Sequence, residues 1–160
     1  MPPRPTKHAL RAELLAQLEA ALVAATAAHA AAVEGATHAE SRAENDKDTR
    51  AVEQTYLARG QAQRVAELAQ ALLLVAAWTP RGFDGSDEVA VGALVTIDED
   101  GDQRRLLIAP AGGGNSLAGA VQVVTPSSPL GQAILGKHAG DEVELRAGPR
   151  LRGLEIVTVA

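Results

Sequence analysis

Apolar and small residues recur along the first half of this chain in alternating steps of three and four, and along parts of the second half at every other position. Leu15, Leu18, Leu22, Ala25, His29, Ala32 and Ala36 mark one helical stripe, and Ala51, Gln54, Ala58, Gln61, Val65, Leu68, Leu72 and Val75 mark a second. Such steps keep one helix face turned toward a single partner, which is the seam of a coiled coil. Strong helix formers, Ala, Leu, Glu and Gln, fill both stretches. A first helix is predicted over 6–37, which holds no Pro and only Gly35; a second is predicted over 48–77, stopped by Thr79-Pro80 and Gly82. Each is about 30 residues long, hence roughly 45 Å.

The order of bulk along the two stripes carries further information. Large side chains come early in the first (Leu15, Leu18, Leu22) and late in the second (Val65, Leu68, Leu72, Val75). Antiparallel folding brings them together as a packed base, and pairing Leu22 with Val65 puts the fold-back near Ala43 and Glu44. Toward that point the seam is Ala, His and Gln. Packing is thin there, so helix propensity and the anchored base must carry the stability, because isolated helices are marginal in water.

Beyond a polar, Gly-punctuated linker at 81–88, the period changes to two. Val89, Val91, Ala93, Val95 and Ile97 alternate with other residues, predicting a strand over 89–97. Asp98-Glu99-Asp100-Gly101-Asp102 is a hairpin signal leading to a return strand at 106–109. A flexible loop at 110–120, a strand at 121–125, a short helix at 130–135 and strands near 142–146 and 154–159 complete the reading. The fold class is therefore α+β. An N-terminal antiparallel two-helix coiled coil at 1–80 precedes a small antiparallel β domain with one short helix at 81–160.

Composition narrows the function. The 160 residues are 46% hydrophobic, but Ala dominates the first half and the chain has one Trp, one Tyr and one Phe. A net charge of −5 argues against general binding to nucleic acid by phosphate neutralisation. The absence of Cys removes disulfides, thiolate metal sites and Cys nucleophiles. No signal-peptide core and no run of about 18 apolar residues is read in the chain, so a cytoplasmic protein is expected.

The predicted fold-back is acidic. Glu40, Glu44, Asp46 and Asp48 lie there among Arg42, Lys47 and Arg50. One reading is a solvated turn in which Asn45 or Asp48 caps the second helix. The other is a display of carboxylates at the end of a thin rod, available to a distant hard cation such as Mg²⁺, which takes oxygen ligands.

The C-terminal run 125–145 joins Ser128-Pro129-Leu130-Gly131 to Leu135-Gly136-Lys137 and Gly140-Asp141-Glu142-Val143. This combination resembles the C-terminal signature of the Gre transcript-cleavage factors, a family that binds bacterial RNA polymerase. In the N-terminal half, Glu44-Asn45, Ala51, Glu53 and Gln54 match positions of that family's tip and second helix. The chain departs from the pattern at Ser41, where the family has the Asp of its acidic pair. Glu40, Asp46 and Asp48 are the candidate substitutes.

The resemblance implies an FKBP-like sheet domain docking at the rim of the polymerase secondary channel, with Ser127, Ser128, Pro129, Leu130 and Lys137 as candidate contacts. It implies that Glu44 is the metal-approaching residue, acting on a Mg²⁺ shared with the polymerase active site, with no cofactor held tightly by the chain. Nascent RNA is met only within that complex, the factor is an accessory protein and not an enzyme, and a monomer with no membrane partner is expected. The alternatives are a non-cleaving Gre-like regulator, a prolyl isomerase and a generic coiled-coil interaction module.

Other motifs carry less. Gly112-Gly113-Gly114 lacks the Gly-Lys-Ser/Thr ending of a phosphate loop. The Asp98–Asp102 run lacks the length and terminal Glu of an EF-hand, and Ser127 and Ser128 precede a Pro in a turn, not a nucleophile elbow. With no Cys and no paired His at ligand spacing, neither His29 nor His38 suggests a metal site, and Arg59 and Arg64 read as solvated.

Overall fold

A computed structural model of the chain describes residues 3–42 and 49–160, with side chains at 40–42 excepted. The elements are α1 (Lys7–Arg42), α2 (Thr49–Ala77), β1 (Leu94–Glu99), β2 (Asp102–Ile108), β3 (Ser116–Leu117), β4 (Val121–Val124), α3 (Pro129–Ile134), β5 (Glu142–Ala147) and β6 (Arg150–Val159). Contacts divide the chain into two compact units, Gln17–Leu72 and a second made of Met1–Ala16 with Leu73–Ala160.

Within Gln17–Leu72 the helices form an antiparallel hairpin. His29 Nδ1 donates to the Ala58 carbonyl at 3.2 Å, and Gly35 lies against the Gln54 side chain. As one residue number rises between these pairs, the other falls. All eight positions read as the α2 stripe are buried or half-buried, and Leu18, Ala25 and Ala32 are buried on α1. The stripe is displaced at its start: Leu14 is fully buried, while Leu15 is only half-buried.

Leu14 belongs to the other unit, where it touches Gly112. A sheet loop thus contributes to its burial. Arg11 closes the end of α2 in the same unit: Nε donates to the carbonyls of Val75 (3.2 Å) and Trp78 (2.7 Å), and Nη2 to that of Ala76 (2.7 Å). The last carbonyls of a helix have no intrahelical donor, and a guanidinium there satisfies them while matching the helix dipole. Glu13 accepts from the Ala118 N–H at 2.9 Å.

By length and composition, α1 qualifies as a membrane-crossing helix, since an 18-residue window in Lys7–Ala39 has a mean hydropathy of 1.4. This corrects the expectation that no segment reaches that mark. The sequence has no unbroken apolar run of that length, but repeated Ala lifts the average without adding large apolar side chains.

The six-stranded sheet has the order β3-β4-β2-β1-β6-β5. Asp100 (φ 54°) and Gly101 (φ 87°) form the two-residue turn between β1 and β2, both in the left-handed region that a type I′ hairpin requires. Every pairing is antiparallel except that of β2 with β4, which is parallel, so the sheet is mixed and not antiparallel throughout. The reason lies in residues 109–120, a crossover long enough to return the chain for a second pass in the same direction. It contains β3, so it is not the plain loop expected from its glycines.

The strand predicted over 89–97 begins only at Leu94. Gly92, at φ 97°, sits in a turn in which Ala93 N–H reaches the Ala90 carbonyl at 3.0 Å. Val89 instead pairs with the segment after α3, accepting from Gly136 N–H (2.8 Å) and donating to the Lys137 carbonyl (2.7 Å). Its side chain still enters the core formed by Val95, Ile97, Leu106, Ile108, Val124, Ile134, Val143, Leu154, Ile156 and neighbours. α3 covers this core through Ile134, with Leu130 and Leu135 packed at its margin.

Candidate functional site

The Ser128-Pro129-Leu130-Gly131 turn is built by one constraint at each position. Ser128 is the N-cap of α3; its Oγ accepts from Gly131 N–H at 3.0 Å and donates to the Thr125 carbonyl at 2.8 Å. Pro129 occupies the first turn, where a missing N–H costs nothing. Leu130 anchors the turn on the core. Gly131 is obligatory by space alone: a Cβ there would lie 2.0 Å from the Thr125 carbonyl oxygen.

The following motif residues also have local tasks. Gly136, at φ 75°, ends the helix in the left-handed conformation that Gly adopts without a Cβ penalty. Gly140 (φ 91°) turns the chain into β5, and Asp141 accepts from His138 N–H at 2.8 Å. The signature read from the sequence therefore specifies a turn, a helix and a second turn in order.

Of the candidate contact residues, Ser127 and Pro129 are exposed and Ser128 and Leu130 half-buried at the N-terminal end of α3. Gln132 Nε2 donates to the Ser127 carbonyl at 3.2 Å. Lys137 is exposed but follows the opposite end of α3, about 9 Å of helix away. The structure groups the first four and sets Lys137 apart.

Beside the turn lies a concavity of about 580 Å³, lined by Gly113, Gly114, Val123, Val124, Thr125, Ser128, Pro129, Leu130, Leu145, Arg146 and Ala147. Arg146 is its single charged residue; Thr125 and Ser128 add hydroxyls, and the rest offers apolar surface and backbone. Gly113 and Gly114 and the β5 residues were not among the sequence candidates. The three consecutive glycines were the available signal: a Cβ on Gly113 would press on Thr125 Cγ2 at 3.1 Å, so the loop helps keep this hollow open.

Glu44, Asp46 and Asp48 lie outside the described residues, as does the side chain of Glu40. By element bounds, Glu44, Asp46 and Asp48 fall between the end of α1 at Arg42 and the start of α2 at Thr49. Among the described residues no group of three or more His, Asp or Glu is arranged to hold a metal. His29 is engaged on the helix seam, and His38 sits 3.7 Å from Glu34 on the surface. Asp98, Asp100, Glu142, Glu144 and Glu155 line a second concavity of about 560 Å³.

Residues 84–160 match the family model described as transcription elongation factor, GreA/GreB, C-terminal. GreA of Streptococcus sanguinis is 42% identical over 57 residues, 34% of each chain. GreA of Cereibacter sphaeroides is 33% identical over 98 residues, 60% of this chain and 62% of that one. The chain thus spans about a third of the length of the curated Streptococcus relative it matches. A solved structure, GreA factor homolog 1 of Thermus thermophilus, aligns over 91% of this chain and 94% of its own at 15% identity, with a TM-score of 0.40. The sheet module, with its Ser-Pro-Leu-Gly signature, is thus similar to the C-terminal domain of the GreA/GreB transcription elongation factors.

Proposed function

We propose that the chain binds bacterial RNA polymerase at its secondary channel and stimulates cleavage of backtracked RNA. The observation that carries this reading is the family match over 84–160 joined, in one chain, to an antiparallel helical hairpin whose connecting segment holds Glu44-Asn45. In this reading the sheet module docks through the Ser127–Leu130 turn and the apolar hollow beside it. The segment 40–48 then presents carboxylates to the polymerase Mg²⁺.

The chemistry follows two-metal logic. Glu44, aided by Glu40, Asp46 or Asp48, would help hold a second cation, which would supply Lewis-acid activation of water for attack on the RNA phosphodiester. The polymerase performs the hydrolysis and the factor supplies ligands. In this reading the protein acts as a monomer in the cytoplasm.

Ser41 favours one second reading, a family member that occupies the same channel without promoting cleavage, because it lacks the acid of the family pair. Prolyl isomerisation is weighed against by the hollow beside α3: no aromatic side chain lines it. In stalled, backtracked complexes, added protein is expected to shorten the RNA, and Glu44→Ala is expected to abolish the effect while leaving polymerase binding intact. RNA of unchanged length, with binding retained, selects the non-cleaving regulator. Loss of binding itself defeats both readings.

A further inference from the structure

Two cations share the face or edge of one ring where the linker after α2 meets the first turn of α1. Lys7 Nζ lies 4.3 Å from the centroid of Phe83, and the Arg81 guanidinium carbon lies 3.9 Å from it. Their cationic centres are therefore no more than about 8 Å apart, each within cation–π range. Lys7 Nζ also donates to the Arg81 carbonyl at 3.0 Å. Lys7 is half-buried, whereas Arg81 is exposed. Phe83 is fixed in turn by packing against the sheet core.

We propose that Lys7 is an acylation site that takes acyl groups from small acyl phosphates, with Arg81 drawing in the phosphate. In its neutral form the amine uses one N–H on the Arg81 carbonyl and keeps its lone pair. That lone pair attacks the acyl carbon, the C–N bond forms, and the C–O bond to phosphorus breaks. Phosphate leaves with the bonding electrons, and the extra proton on nitrogen passes to water. Arg81 is a positioning residue: a guanidinium is suited to binding a phosphate through paired N–H donors.

Two features of the environment favour the reactive form, while the cation–π contact with Phe83 favours the ammonium. Burial, and then the Arg81 charge, lower the Lys7 pKa from the usual 10.5, against an opposing contribution from Asp87. Well below its pKa, the free-amine fraction rises about tenfold for each unit by which that pKa falls. The product amide is neutral, so acylation removes the Lys7–Phe83 cation–π contact and loosens the hold of the first turn of α1 on the linker.

The sequence supplies its own comparator, since its lysines are Lys7, Lys47 and Lys137, and Lys137 is exposed. The full chain is incubated with acetyl phosphate, and site occupancy is followed by peptide mass spectrometry. Lys7 is expected to react several-fold faster than Lys137, with a half-maximal rate at a pH below 10.5. Arg81→Gln should lower the Lys7 rate more with acetyl phosphate than with a neutral N-hydroxysuccinimide ester, and Arg81→Lys should restore part of it. Circular dichroism checks that both variants keep their helices. Equal or slower reaction at Lys7, or an unchanged Lys7-to-Lys137 ratio in Arg81→Gln, overturns the proposal. Neither result depends on polymerase binding.

Discussion

A Cβ added at Gly131 in the sheet module would lie 2.0 Å from a backbone oxygen, whereas one added at Gly60 in the hairpin would meet nothing within 4 Å. The same residue type is thus a steric requirement in one region and an unexplained loss of helix propensity in the other. The sheet module depends on particular residues at particular places: a cap at Ser128, a close approach at Gly131, left-handed turns at Gly136 and Gly140. The hairpin depends on periodicity and composition, with Ala25 and Ala32 buried along a seam that many small residues could fill. A signature of named residues therefore survives in the first region, while the second retains only a pattern.

The comparison is broken most directly at Gly131. Gly131→Ala is expected to destabilise the sheet module by about 3 kcal/mol, the upper end for overpacking, because the obstructing atom is backbone and cannot rotate away. Denaturant unfolding followed by circular dichroism measures this. A change within about 0.5 kcal/mol would show that Thr125 retreats freely, and the steric account of the signature would fail.

Gly60→Ala should act in the opposite direction. In a helix interior with open space around it, Ala is worth up to about 1 kcal/mol over Gly. Gly35→Ala should yield less, since its Cβ would meet Gln54 Oε1 at 2.8 Å and the flexible amide must move aside. Thermal unfolding of both variants ranks them. A destabilising Gly60→Ala would mean that the hairpin, too, contains a residue-specific constraint.

What was legible in the sequence follows the same division. The α2 stripe was readable in full, from Ala51 to Val75, because helical period alone decides which face is covered. On α1 every stripe position is likewise buried or half-buried, but the stripe passes over Leu14, which is fully buried beside Gly112, nearly a hundred residues away, a neighbour of which periodicity carries no record. Val89 and Ala93, read as alternating positions of one strand, are both buried, yet the strand starts later because the left-handed Gly92 interrupts it. The parallel β2–β4 pairing and the hollow joining Gly113 to Ala147 depend on strand register, which local pattern leaves open. The turn at Ser127–Leu130 was legible because each of its constraints is local.

Ion pairing sharpens the contrast by the smallest expected effect. Glu99, with its side chain only 15% exposed, accepts from Arg152 at 2.7 Å and from Arg104 at 3.1 Å, joining β1, β2 and β6. In the hairpin, Arg64 and Glu67 stand 3.9 Å apart with both side chains more than half exposed, a geometry in which ion pairs contribute little. Hydrogen bonding from Arg152, reinforced by the charges of Arg152 and Arg104 against the opposing effect of burial, holds the Glu99 carboxyl below its usual value of 4.5. A carboxylate whose pKa is lowered by folding stabilises the fold above its unfolded pKa, and this contribution is lost as pH falls through the folded one. Melting temperature should therefore decline as pH drops below about 4.5, and less steeply in Glu99→Gln, which has no such proton to gain. Glu67→Gln should leave the acid slope close to that of the parent. Identical slopes in parent and Glu99→Gln would place the Glu99 cluster in the same class as the exposed hairpin pair.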